Sequence, residues 1–138
     1  HSVIAEWCNL GADTNTSNLK NTYDCVKLWS YGRQTFVNTR LQFCGLIMGD
    51  HSMSGIATMF NTGTVVGVNS NIFGPGFQRN FIPSFTWGGT TGHYNYKLDK
   101  AIEVAVEVFK RRGLEFDDVD KELLSEVYRL TLKNKRYV

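Results

Sequence analysis

Stepping by six from Met48 lands on Met48, Ser54, Phe60, Val66 and Ile72. The residue after each is Gly49, Gly55, Asn61, Gly67 and Phe73, and four residues after each of the first four come Ser52, Thr58, Thr64 and Ser70. The beginning of the chain fits the same template, with Ile4-Ala5 and Cys8, then Leu10-Gly11 and Thr14. A period of six is not helical and is too long for one alternating strand. It suits a β-solenoid in which each short strand sends one large and one small residue inward. Gly or Asn then turns the corner, where positive φ costs little. Stacked layers bury each bulky residue against the layers above and below. Ser54 is the one polar residue in a bulky place.

Between Ser17 and Gln42 the phase is lost. "NLKNTYDCVKLWSYGRQTFVNTRL" mixes turn formers, charges and aromatics, which predicts a loop leaving the solenoid over about 18–42. Loops of that length inside a compact domain are usually functional. After Ile72 the pattern dissolves again. Phe73, Phe77, Phe81 and Phe85 recur every four residues, but Gly74, Pro75, Gly76 and Pro83 forbid a helix. An aromatic, Gly-rich packing arm is predicted over 75–97, following a repeat domain over 1–74.

Two helices are predicted in the last segment, 98–138. The first runs from about Leu98 to Arg112, with Asp99 near its start, Gly113 at C′, and Ile102, Ala105, Val106 and Phe109 on one face. The second runs from about Asp118 to Lys135, capped by Asp117 or Asp118, with Val119, Leu123, Val127 and Leu130 as its stripe. Each such side chain contributes about 1.5–3 kcal/mol if fully buried. Both helices are therefore expected to pack on the solenoid or on a neighbouring subunit.

Composition narrows the function classes. A chain of 138 residues, 42% apolar and 20% charged, fits one globular domain. A formal charge of +2 gives no case for nucleic acid, and Lys110, Arg111 and Arg112 lie among acids at helical spacing, as on a solvated face. Cys8, Cys25 and Cys44 form no CxxC, which argues against a disulfide scaffold or zinc ribbon and makes a reducing cytoplasm the default expectation. No apolar run reaches membrane-spanning length and no signal peptide is visible, so no membrane partner is expected.

The segments "IAEWCNLGADTNTSNLK", a loop containing Lys27, and "GLIMGDHSMSGIATMFNTGTVVG" carry a specific resemblance. In this order they resemble the acetyltransferase half of bifunctional sugar-1-phosphate nucleotidylyltransferase/acetyltransferases, such as those that make UDP-N-acetylglucosamine. The likeness covers roughly Ile4 to Gly74. The stretch from Asn61 to Gly89 and the two helices are similar to a less-studied bacterial branch of sugar nucleotidyltransferases. The resemblance implies a mainly β fold, a single-stranded left-handed parallel β-helix. It also implies a homotrimer with active sites between subunits and acetyl-CoA as donor to an amino-sugar phosphate. Asn18 falls on the family's residue that contacts the acceptor sugar, and Lys27 matches a loop lysine that meets sugar phosphate. Gly74 and Ile56 fall on the coenzyme side. Ile56 stands where the family often has a Ser.

The family's general-base His belongs to a coil before Ile4, so the catalytic residue is expected upstream of residue 1, with His1 out of register. The nucleotidylyltransferase half, which would use Mg2+, is absent. The chain therefore reads as the C-terminal piece of a larger enzyme, inactive alone.

Acetyl transfer to an amine needs a base, donors for the oxyanion and a slot for the thioester arm. His51, in "MGDHS", reads better as an exterior corner beside Asp50 than as that base, and His93 is weaker still. Asn18 can contact ligand or join a structural Asn ladder, and both readings stand. Thr14 and Thr16 read as rung residues. Lys20, Lys27, Arg33 and Arg40 make the loop positive, as a phosphate site or as a solvated loop. Arg79 could meet a coenzyme phosphate. Two functions remain open: an acyltransferase half, and a non-catalytic trimerisation module favoured by Ile56. A zinc enzyme of carbonic-anhydrase type needs three His ligands, and His1, His51 and His93 are too widely spaced to supply them.

Overall fold

The structure, a computed structural model, describes residues 1–137. Its first strands, β1 (Val3–Ile4), β2 (Asn9–Leu10) and β3 (Asn15–Thr16), are two residues each and six residues apart. A hairpin follows, β4 (Lys27–Ser30) and β5 (Thr35–Asn38), and then two-residue strands resume. These are β6 (Ile47–Met48), β7 (Met53–Ser54), β8 (Met59–Phe60), β9 (Val65–Val66), β10 (Asn71–Ile72) and β11 (Phe81–Ile82). A second hairpin, β12 (Thr86–Gly89) and β13 (Gly92–Asn95), leads into helices α1 (Leu98–Lys110) and α2 (Asp118–Thr131).

Successive strands enter three sheets in turn, and each pairs in parallel with a strand one coil later. Ile47 pairs with Val65, Met53 with Asn71 and Met59 with Phe77, in each case 18 residues on. Sheet A runs β1-β6-β9-β11, sheet B runs β13-β12-β10-β7-β2, and sheet C holds β3-β8. Met48 and Val66 of sheet A, Ile72 of sheet B and Phe60 of sheet C share one buried cluster, so the three sheets enclose a single core.

The inward positions follow the six-residue phase. Met48, Phe60, Val66 and Ile72 are buried, and so are the small residues Ser52, Thr58, Thr64 and Ser70. Hydroxyls at that small place tie corner carbonyls: Ser52 and Ser70 donate to the next coil, to Gly67 and Pro83, at 2.7 and 3.0 Å, and the threonines donate to their own corners. Thr14, Thr58 and Thr64 donate to Gly11, Gly55 and Asn61 at 2.7, 2.9 and 2.8 Å. A buried carbonyl left without a partner would cost about 1–3 kcal/mol. Ser54, the misfit, is paired as well: its Oγ lies 2.8 Å from Thr14 Oγ1 and accepts from the Gly11 amide.

The corners correct the sequence reading. Gly49, Gly55 and Gly67 are absent from the left-handed region; the positive φ falls two residues later, at His51, Ala57, Gly63 and Asn69. The glycines are required by close approach instead. A Cβ on Gly49 would lie 2.9 Å from the Val68 amide nitrogen, and one on Gly67 would strike the backbone of Ser84.

The repeat also runs past Gly74, where a packing arm was expected. Phe81–Ile82 pairs with Val65–Val66, only 16 residues earlier in the chain, so this coil is two residues short. After the slip the template resumes with Ile82 and Thr86, both fully buried, and Thr86 Oγ1 donates to Pro83 at 2.6 Å.

The excursion is anchored to the coil. Its hairpin lies on the outer face of sheet A, where Trp29 stacks on Phe81 with ring centroids 4.2 Å apart. Val65 completes that cluster, and Val26 is fully buried.

The helices cover the corner between sheets A and B. Trp7 meets Phe109 at 4.2 Å, His51 lies 6.0 Å from Phe116, and Phe85 meets Tyr128 edge-on at 4.8 Å. On α1 the buried face is Ala101, Ala105 and Phe109, with Ile102 and Val106 beside it. On α2 the expected stripe holds at Val127 and fails elsewhere: Val119, Leu123 and Leu130 are exposed, and Leu124 is the buried residue, flanked by Val127 and Tyr128. The cap on α2 is Asp117, closed by a reciprocal bond with Asp120. That helix ends at Thr131, and a 3-10 turn over Leu132–Tyr137 replaces its expected last turn. No helix among the described residues is long and apolar enough to cross a membrane.

Candidate functional site

Three corners run along the coil, and the sequence-predicted site residues fall on two of them. Asn18 is on the corner from sheet C to sheet A, where Ser17 still bonds Phe60 before the excursion leaves. The chain returns there, with Cys44 N–H donating to the Asn18 carbonyl at 2.9 Å. The Asn18 side chain does not join an Asn ladder: its Nδ2 lies 2.7 Å from His1 Nδ1, and the His1 ring packs on Phe43 at 5.2 Å. His1 therefore stands beside Asn18 despite its unfavourable register.

Lys27 opens β4, exposed and opposite Asn38, with no ion pair among the described residues. Of the two lysines in the excursion, Lys20 is the one that lines a concave surface. A cleft of about 450 Å3 beside Asn18 is lined by Ser17, Lys20, Thr22, Thr62, Phe77 and Asn80. Thr62 donates to Ser17 Oγ at 2.9 Å, and Asn80 donates to the Thr62 carbonyl at 3.1 Å, so the wall is prearranged. Lys20 Nζ is partly engaged by the Cys25 carbonyl at 3.2 Å. Phe77 could have been placed in this wall from sequence, since it stands 18 residues after Met59.

Ile56 and Gly74 lie on the corner from sheet B to sheet C, stacked in successive coils by the pairing of Ser54 with Ile72. Ile56 is 77% exposed, and a Cβ on Gly74 would meet only Thr90, at 3.6 Å. Gly11 and Gly55 let the coils of this corner stack closely, since a Cβ on Gly11 would lie 2.5 Å from the Gly55 carbonyl carbon. Ile56 and Ala57 are its exposed residues.

The other imidazoles are elsewhere. His51 sits under the helices, and burial outweighs the nearby carboxylates of Asp50, Asp120 and Glu6 to push its pKa down. The imidazole does sit at a corner of the coil, but it packs against Phe109 and Phe116 of the helical segment where the sequence suggested an exterior position. His93, on β13, is likewise pushed down by burial and by the charges of Arg79 and Lys135. Among the described residues no group of His, Cys, Asp and Glu could hold a metal ion.

Asn18 and Lys27 are therefore brought to one side of the coil, and Ile56 and Gly74 to another; one chain does not unite them. No family model matches the chain, and no curated protein matches it in sequence.

Proposed function

We propose that the chain is the acyltransferase-like C-terminal part of a sugar-nucleotide biosynthesis enzyme, built on a left-handed parallel β-helix. In this reading it moves acetyl from acetyl-CoA to an amino-sugar phosphate. The observation that carries the reading is the division of the candidate residues between two corners. Asn18, Lys20 and the cleft beside them supply an acceptor half-site, with an amide for a sugar hydroxyl or acetamido group and a cation for phosphate. Ile56 and Gly74 supply a low edge along which a pantetheine arm can lie. A homotrimer in which one subunit's glycine corner faces its neighbour's Asn18 corner would assemble the whole site. The general base for the ammonium proton comes from the coil preceding Ile4 in this scheme, and the chain acts in the cytoplasm.

A second reading, a non-catalytic trimerisation module, is favoured by Ile56 itself. A large apolar side chain, 77% exposed where a coenzyme-contacting hydroxyl is expected, suits a subunit contact better than a polar ligand.

Calorimetric titration with acetyl-CoA, on the chain extended by its preceding coil and paired with light scattering, separates the two. A trimer that binds acetyl-CoA, and whose acetyl transfer falls at least about 100-fold in Asn18→Ala with little change in melting, supports the acyltransferase. A trimer without binding supports the module. A stable monomer at micromolar concentration overturns both.

A further inference from the structure

We infer that the groove between sheet B and the last turn of α1 binds a small phosphate monoester that carries an apolar group. The inference does not depend on the acyl-transfer reading, because none of the residues proposed for that reaction lines this groove. The cations within the two helices are each held by an acid three residues away. Lys100 pairs with Glu103, Lys110 with Glu107, Lys121 with Asp118 and Arg129 with Glu126, at 2.5–3.8 Å. Arg111 and Arg112, just beyond α1, break that rule and have no ion pair among the described residues. They are not caps either. The Arg112 and Gly113 amides donate to the Phe109 and Lys110 carbonyls at 2.8 and 3.0 Å, so the helix end closes through its own backbone. Lys110, in the last turn, already meets the helix dipole.

Both arginines line a cavity of about 700 Å3, within the usual range for small-ligand pockets. Asn9 and Met53, neighbours across β2 and β7, form its sheet side. Among the described residues no carboxylate lines it. The Cys8 thiol, also in the wall, donates to the Gly49 carbonyl at 3.2 Å, and burial pushes its pKa up, so it adds no negative charge. Two adjacent guanidiniums without an acid match a dianion, and each fork fits a pair of phosphate oxygens. A phosphate monoester carries about −1.5 to −2 charges at pH 7, against one for a carboxylate. The rest of the lining is apolar. It consists of Met53, Val108 and Trp7, whose ring is braced against Phe109 at 4.2 Å. Inorganic phosphate would leave that surface bare, whereas an ester with a ring or short hydrocarbon covers it.

The test follows the three indole N–H signals by proton–nitrogen NMR during titration with phenyl phosphate, inorganic phosphate, benzoate and phenol. Trp7→Phe assigns the Trp7 signal and keeps a flat ring. Saturable movement of that signal by phenyl phosphate, with Trp29 and Trp87 unmoved and a dissociation constant on the order of millimolar, supports the inference. Inorganic phosphate and benzoate should bind at least about fivefold more weakly, and phenol should not saturate. The double variant Arg111→Gln, Arg112→Gln should weaken phenyl phosphate binding at least about tenfold. Lys100→Gln with Lys110→Gln removes the same charge from the same helix and should weaken it less than about twofold. All four side chains are exposed, so the fold tolerates both changes. A Trp7 signal that phenyl phosphate leaves unmoved up to about 20 mM overturns the inference. So do equal affinity for inorganic phosphate, benzoate or phenol, and equal weakening by the two double variants.

Discussion

The A–B and B–C corners use the same backbone device and carry opposite surfaces. Both place a left-handed residue at the same point of the turn, His51 on one and Ala57 on the other, with φ of 58° and 56°. At the A–B corner the outward positions are Trp7, His51, Val68 and Phe85, and two helices bury them. At the B–C corner they are Ala12 and Ile56, both exposed, and Gly74, which among the described residues only Thr90 approaches. Inward residues and corner glycines build the coil at both. The one outward residue per turn decides what docks there, so function can be read from the corners while the core only reports the fold.

Phe109→Ala should give the largest contrast. Phe109 is buried between Trp7 and Phe116, and its removal should cost about 3–5 kcal/mol in chemical denaturation and reduce helical circular dichroism. Ile56→Ala on the bare corner should stay within about 0.5 kcal/mol. Equal losses would break the comparison.

Next comes Gly67→Ala. Its Cβ would strike the Ser84 backbone of the next coil, which cannot move aside as a flexible side chain could, so a loss of about 1–3 kcal/mol is expected. Gly113 has a φ of 68° and open space around it, so Gly113→Ala should cost about 1 kcal/mol through conformation alone. A smaller loss at Gly67 than at Gly113 would refute close approach as the reason for the corner glycines.

These predictions rest on distinctions only partly legible in sequence. The inward phase was readable because residue size repeats every six positions, from Met48 through Ile72. The role of the glycines was not, since a small residue serves a tight turn and a close neighbour equally well. The fourth coil was hidden by its two-residue slip between Gln78 and Ile82. On α2, Leu and Val occupy both faces, and packing against Phe85, Phe109 and Phe116 selects Leu124 over Leu123. The candidate site was half legible: Asn18 marks where the phase fails, but its approach to His1 depends on folding across 17 positions of sequence.

The covered corner should also respond to acid. Burial lowers the His51 pKa below its ordinary value of about 6.5, so the unfolded chain binds the proton more readily than the folded one. The neutral form's advantage is complete above that ordinary value and is lost as pH falls below it. Melting temperature should therefore drop between about pH 7.5 and 5.5. His51→Asn keeps a residue suited to positive φ and should flatten part of that slope, leaving the share due to His93, whose pKa is lowered in the same direction. An unchanged slope would place the acid sensitivity away from the helix-covered corner.

The smallest effect belongs to Ala57 on the bare corner. A left-handed conformation costs an alanine about 1 kcal/mol, and Ala57→Gly would release it. The added freedom of glycine in the unfolded chain takes back about 0.4–1 kcal/mol. Ala57 is exposed, so its methyl group gives up little burial. The expected result is no loss of stability and a gain of up to about 0.5 kcal/mol, read from the denaturation midpoint at constant slope. The same change at His51 would remove the ring packed on Phe109 and Phe116 and should be clearly destabilising. If both corners responded alike, the left-handed residue would be doing the same work at each, and the difference between them would lie outside the turn.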